Sequence, residues 1–185
     1  MFLRYGSLAD KIKAKVRGTI DLDRLIKDGL IVGDNFHAQD GVIIDPGHCW
    51  LIEIGNNVTL APRVHVLAHD ASTKNGVGYT KIGCVTIGDN VFIGAGSIIM
   101  PGVTIPDKTI IGAGSLVTKP LTQGGVYCGS PAQYICSYEE YILKHNTLIA
   151  KLPAFEKEYV IGNITSDMRL EMKNKIKDSG GGYVV

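Results

Sequence analysis

The sequence predicts a mainly β chain: a three-sided coil of short parallel strands, preceded by short helices and followed by a helical extension. Three observations predict it. Between residues 87 and 117 a large aliphatic residue returns every six positions, at Ile87, Ile93, Ile99, Ile105, Ile111 and Val117. Four places after the first five of these stand small or β-branched residues: Val91, Ser97, Val103, Thr109 and Ser115. The tetrapeptide GAGS occurs at 94–97 and again at 112–115, eighteen residues later. A helix needs apolar spacings of three and four, and a half-buried strand needs alternation, so a period of six is neither. If each six is one strand and one corner, the large residue points inward once per side. Three sixes then return the chain to its starting side one coil on, about 4.8 Å away.

The elements follow in order. "SLADKIKAKV" and "DLDRLIKDG" read as short amphipathic helices, with Ser7 and Asp21 as N-caps and Gly29 as a stop, covering the open end of the stack. "IVGDNFHAQDGVIIDPGHCW" reads as a first coil with an irregularity from Asp45 to Trp50. Ile54, Leu60 and Val66, followed four places on by Val58 and Val64, form a second. From Ile54 to Ile87 is 33 residues, five sixes plus three, so an insertion separates the blocks. It is "DASTKNGVGYTK", residues 70–81, polar and glycine-bearing, read as a loop leaving the coil.

Gly88, Gly94, Gly102 and Gly112 fall where corners want permissive dihedrals. A dinucleotide loop is excluded for "GAG", because the third glycine and the strand, loop and helix context are missing. Beyond the coil, "SYEEYILKHNTLIAKL" (137–152) reads as a helix ended by Pro153, with Tyr138, Tyr141, Ile142, Leu148, Ile149 and Leu152 as a packing face. "TSDMRLEMKNKIKDSGGG" reads as a more polar helix stopped by Gly180. The division so read is 1–136 for the coil with its helical cap and 137–185 for the extension.

Composition narrows the function classes. The 185 residues are 45% hydrophobic and 20% charged, with a net charge of +1, which gives no general electrostatic case for nucleic acid or an anionic membrane. No apolar run approaches the roughly 18 residues of a membrane span, and the N-terminal stretch lacks a signal-peptide core. Cys49, Cys84, Cys128 and Cys136 show no CxxC pairing, as expected of reduced thiols in the cytoplasm. The expected partners are a small molecule and further copies of the chain.

His69 closes the block that starts at Ile54 and stands immediately before the insertion, in "VHVLAHDAS". Histidine in general takes up a proton near neutrality, so one fixed on a stiff coil suits a hydroxyl acceptor. An exposed turn histidine is the equal alternative on position alone. Asp70 is a candidate orienting carboxylate, but neighbours on extended backbone point apart, so a structural contact is as good a reading. Ser72, Thr73, Lys74 and Asn75 are loop positions that could touch an acceptor.

"IGNNVTLAPRVHVLAHD", "VTIGDNVFIGAGSIIMPGVTIPDKTIIGAGSLVTKPL" and "GSPAQYI" resemble the hexapeptide-repeat acyltransferases, specifically the galactoside, maltose and exopolysaccharide O-acetyltransferases, over about residues 22–136. The resemblance implies a left-handed parallel β-helix, a homotrimer with active sites between subunits, and acetyl-CoA as acyl donor to a saccharide hydroxyl. It makes His69 the general base. It places Gln39, Asp45 and Phe92 at the acceptor, with Gln39 where relatives carry asparagine, and Ala95, Ala113, Thr118 and Lys119 along the CoA groove. Gln133 and Cys136 stand where relatives carry basic residues, which leaves Lys119 and the C-terminal extension to meet the CoA phosphates. N-acyl transfer to an amino sugar is the alternative within the fold. Two others are a γ-carbonic-anhydrase-like metalloprotein drawing on His37, His48, His65 and His69, and a trimeric protein that binds without catalysis. Zinc needs three converging nitrogens, and His65 and His69, four apart, do not sit on equivalent corners.

Overall fold

The computed structural model describes residues 20–185, so the expected helix at Ser7 lies outside the described residues. The chain divides into two compact units, Met1–Tyr138 and Glu139–Val185. The first described helix, α1 (Leu22–Lys27), starts where Asp21 accepts the Arg24 N–H at 3.2 Å, and its exit passes through Gly29 at φ +109°.

Short strands then build three parallel faces. The first holds Ile31–Val32, Ile52–Ile54, Val85–Ile87 and Thr104–Ile105. The second holds His37–Ala38, Thr59–Leu60, Phe92–Ile93 and Thr109–Ile111, and is extended by the hairpin of Gly125–Gly129 and Ala132–Cys136. Ile43–Ile44, His65–Val66, Ile98–Ile99 and Leu116–Val117 make the third. The chain visits them in rotation. Ile98 pairs with Leu116 and Phe92 with Ile110, both at the eighteen-residue offset that the repeat demands. Ile87, Ile93, Ile99, Ile105, Ile111 and Val117 are at most 1% exposed and stack as inward columns, with Val91, Ser97, Val103, Thr109 and Ser115 buried beside them. The buried hydroxyls are satisfied locally: Ser97 and Ser115 both donate to the Gly112 carbonyl, at 3.0 and 2.6 Å.

The corner glycines act differently from the expectation. Of the four, only Gly102 has a positive φ (+83°). A Cβ on Gly94 would come within 2.5 Å of the Ala113 nitrogen, so the requirement there is close approach of successive coils. The left-handed corner positions are shared by glycines (Gly41, Gly96, Gly102 and Gly114), by Arg63 and Lys108, and by three asparagines, Asn35, Asn57 and Asn90, at φ +54°, +55° and +57°. Their side chains form a ladder, Asn35 Nδ2 donating to Asn57 Oδ1 (3.0 Å) and Asn57 Nδ2 to Asn90 Oδ1 (3.3 Å). Asn57→Ala is expected to lower unfolding stability by roughly 2–3 kcal/mol, the sum of left-handed strain and lost bonds. Asn57→Gly, measured by the same urea titration, should recover the backbone part only.

The expected loop 70–81 carries its own structure. His69–Asp70 pairs antiparallel with Lys81–Ile82, enclosing a 3-10 turn at Ala71–Thr73 and one helical turn, α2 (Lys74–Val77). In the C-terminal part, α3 (Tyr138–Ile149) fully buries none of its residues: of the expected packing face, Tyr138, Tyr141, Leu148 and Leu152 are half-buried and Ile142 and Ile149 are exposed. Helix α4 (Ser166–Ser179) is capped by the Thr165 hydroxyl and stopped at Gly180, φ +75°, while Ala154–Phe155 pairs with Tyr183–Val184 around buried Phe155. No helix of the described residues is long and apolar enough to cross a membrane.

Candidate active site

Two coils are longer than eighteen residues, and both surpluses leave from the corner between the third and first faces. His65 pairs with Ile43, 22 residues back, and with Ile98, 33 residues on. The first surplus carries Asp45 to Leu51 and the second carries His69 to Ile82. Because the surpluses are stacked, residues 24 apart in sequence meet.

Asp45 is fully buried beneath His69. Its Oδ1 accepts the Gly47 and His48 N–H groups at 3.0 and 3.2 Å, and its Oδ2 accepts the Ala68 N–H at 3.0 Å and the His69 Nδ1 proton. An ionised carboxylate only accepts, so Nδ1 carries the proton and Nε2 keeps its lone pair. The His69 side chain is 38% exposed, leaving that lone pair reachable from solvent. Burial alone would push the Asp45 carboxyl up, but the hydrogen bonds from His69 and from the Ala68 and Gly47 N–H groups together hold it below the usual aspartate value.

Of the two readings of Asp70, the structural contact is the one seen. Asp70 does not orient His69: it accepts the Ser72 N–H at 2.9 Å and pairs with Lys81 at 3.1 Å, contacts that hold it at about 2. Asp45, expected at the acceptor, has no exposed surface in the chain, and both its oxygens are hydrogen-bonded, one of them to the imidazole.

Gln39 and Phe92 are not brought to this corner. Gln39 is exposed where the second face turns into the third, and Phe92 lies on the second face in a shallow groove with Asn57, Asn90, Ile110 and Tyr138. Ala95 and Ala113 are exposed and stacked at the same corner as Gln39, the Gly114 N–H donating to the Ala95 carbonyl at 2.8 Å. Thr118 and Lys119 are exposed on the His69 corner: the register places Asp45, Leu67, Met100 and Thr118 one above another. From Leu67 to Thr118 is two steps, about 10 Å.

Sequence reading named His48 only as a candidate metal ligand and not as a neighbour of the proposed base. Its ring lies 4.8 Å from that of His69, and its Nδ1 is buried without a hydrogen-bond partner, 4.0 Å from Asp45 Oδ1. Among the described residues, Asp45, His48 and His69 are the set whose ligand atoms converge, within 4.8 Å of one another. His37 and His65, weighed with them as metal ligands, lie outside this set. The signal was available as the four-residue surplus between Ile44 and Ile54, on the corner where the second insertion also leaves.

The description "hexapeptide repeat of succinyl-transferase" matches residues 84–119. A candidate acetyltransferase of Dictyostelium discoideum is 42% identical over 139 residues, 71% of this chain and 67% of that one. The chain belongs to the hexapeptide-repeat acetyltransferases. It is an acyltransferase by that membership. Galactoside O-acetyltransferase of Escherichia coli is 40% identical over 111 residues, 56% of this chain and 52% of that relative. Among solved hexapeptide-repeat proteins, a maltose O-acetyltransferase from Clostridium difficile superposes with a TM-score of 0.51 at 31% identity, covering 69% of this chain and 83% of its own. An acetyltransferase of Vibrio cholerae solved with acetyl-CoA shares the fold at 20% identity and TM-score 0.51, covering 70% of this chain and 85% of its own.

Proposed function

We propose that the chain is an acetyl-CoA-dependent O-acetyltransferase that acetylates a saccharide hydroxyl with His69 as general base. The observation that carries the reading is the His69 imidazole with Nδ1 tied to a buried carboxylate and Nε2 turned toward solvent. Nε2 removes the acceptor hydroxyl proton as that oxygen attacks the thioester carbonyl. The C–S bond then breaks, and the imidazolium returns the proton to the departing sulfur, giving the ester and free CoA thiol. Acetyl transfer in the E. coli and C. difficile relatives, both named for saccharide substrates, supports the acceptor class.

The coil is read as a left-handed β-helix assembled as a homotrimer. Gln39, Phe92, Ala95 and Ala113 lie a side of the coil away from His69, so they can serve it only from a neighbouring copy. The pantetheine arm would then run along a subunit boundary, between Ala95 and Ala113 of one copy and the Thr118–Lys119 corner of the next. Exposed Cys84 and Cys128, free in the structure, fit a reducing cytoplasm.

A resident metal at Asp45, His48 and His69 is the competing reading, favoured by their convergence. Asp45 and His69 are already bonded to each other through Oδ2 and Nδ1, so a cation held by the same groups would compete with the oriented base. The deciding experiment is release of CoA thiol from acetyl-CoA with a panel of saccharides and amino sugars, together with sedimentation. Thiol release with no acceptor in the panel, or a fully active monomer, would overturn the proposal. Lys119→Ala is expected to raise the KM for acetyl-CoA by roughly 3–10-fold with little change in kcat, because a phosphate contact remote from the carbonyl contributes uniform binding.

A further inference from the structure

We propose that Trp50, with His48 beside it, is the acceptor platform of the enzyme: the surface on which a pyranose ring lies while one of its hydroxyls meets His69. This rests on the reading of His69 as the base. Three rings run from the catalytic corner outward, with centroids 4.8 Å apart from His69 to His48 and 5.3 Å from His48 to Trp50. The imidazole ends the row, and the indole begins it with 56% of its surface in water.

The backbone beneath the row is fixed. The first insertion forms a 3-10 turn at Cys49–Leu51, and Cys49, between His48 and Trp50, is completely buried, its Sγ 3.6 Å from the Leu25 and Asp28 carbonyls. Gly29 closes the other side: a Cβ there would come within 2.8 Å of the Trp50 Cβ, so the turn packs directly on the exit of α1. The start of the insertion is held by Asp45, which takes the Gly47 and His48 N–H groups. The same carboxylate therefore sets the base and the wall next to it.

A large indole held on an immobile turn and left half in water is poor economy for a fold with a filled core, and good design for a ligand with an apolar face. Pyranoses have one: axial C–H groups make a ring face apolar while the hydroxyls form a polar rim. Stacking that face on the indole fixes the ring plane, and the row of rings then leads the rim to Nε2. An acyclic polyol has the same hydroxyls and no such face.

Trp50 is the only tryptophan of the chain, so its emission reports this surface alone. The full-length protein, excited so that only the indole responds, would be titrated with methyl α-glucopyranoside, methyl β-galactopyranoside and sorbitol without acetyl-CoA. The expected result is a saturable emission change with the pyranosides and none with sorbitol. Trp50→Ala should raise the KM for an acetylated pyranoside about 10-fold, the equivalent of one aromatic contact, and leave the KM for acetyl-CoA unchanged. Trp50→Phe should restore most of it. A pyranoside that is acetylated but leaves both the emission and the Trp50→Ala KM unchanged overturns the platform while leaving His69 as the base. Emission that depends on protein concentration and not on sugar overturns it too, because a second copy then covers the indole. A pyranoside that shifts the emission but is never acetylated supports the platform and removes the acetyl-transfer reading instead.

Discussion

His69→Ala is expected to lower kcat for acetyl transfer by roughly 10²–10⁴-fold, the range for loss of a positioned general base. The fall should appear in kcat with the KM for acetyl-CoA nearly unchanged, since the imidazole acts on the acceptor proton and not on the donor's binding groups. The side chain is 38% exposed and its one polar contact is to Asp45, so the fold should tolerate the truncation apart from the buried carboxylate it leaves short of one donor. Thermal unfolding checks this directly. A variant that folds and sediments as wild type yet keeps wild-type thiol release would show that the acceptor loses its proton to another group or to water.

His69 was visible in the sequence because it marks the place where the six-residue count breaks. A column of Ile and Val at fixed spacing has one geometric solution, so the coil, its inward columns and the departure of the insertion could all be read from hydrophobic positions alone. The partner of the base could not. Asp45 lies 24 residues away, and its meeting with His69 depends on two insertions of different length leaving from the same corner, a fact of register and not of local pattern. Asp70, adjacent in sequence, was the natural candidate, and extended backbone directs it to Lys81 instead.

The glycines illustrate the same limit. Gly94 is required by the nearness of Ala113, eighteen or so residues on, which one coil's sequence does not display, while the dihedral demand falls two places further along, on Gly96 and Gly114, and on Asn57 and Asn90. His48 and Trp50 sat in a stretch recognised as irregular, and irregular stretches have no period from which to infer direction. The apolar positions of α3 were legible as a stripe, but a stripe reports amphipathicity and does not say what covers it: Ile149 is 42% exposed in the chain itself.

Asp45→Asn is expected to cost more than the change of one oxygen to nitrogen suggests, because all four donors around the carboxylate need an acceptor. The amide has one. If its NH2 faces Gly47 and His48, two backbone N–H groups lose their partner and the turn that carries the ring row loosens. If it faces Ala68 and His69, the Ala68 N–H is orphaned and the imidazole is driven to the other tautomer, with the proton on Nε2 where the base must be free. Either arrangement removes charge-assisted bonds from a fully buried group, for about 2–4 kcal/mol of stability. The second also lowers kcat by an amount on the order of the His69 loss.

The pH dependence separates these effects from general damage. The folded carboxyl titrates below its ordinary value, so its contribution to stability is complete above the unfolded aspartate pKa of about 3.9 and is lost as pH falls through the lowered folded value. The stability gap between wild type and Asp45→Asn, measured by urea unfolding at one protein concentration, should therefore close as pH falls through the lowered folded value. A gap that persists unchanged well below the folded pKa would mean that the charge of Asp45 contributes nothing, and that the site is held by shape alone.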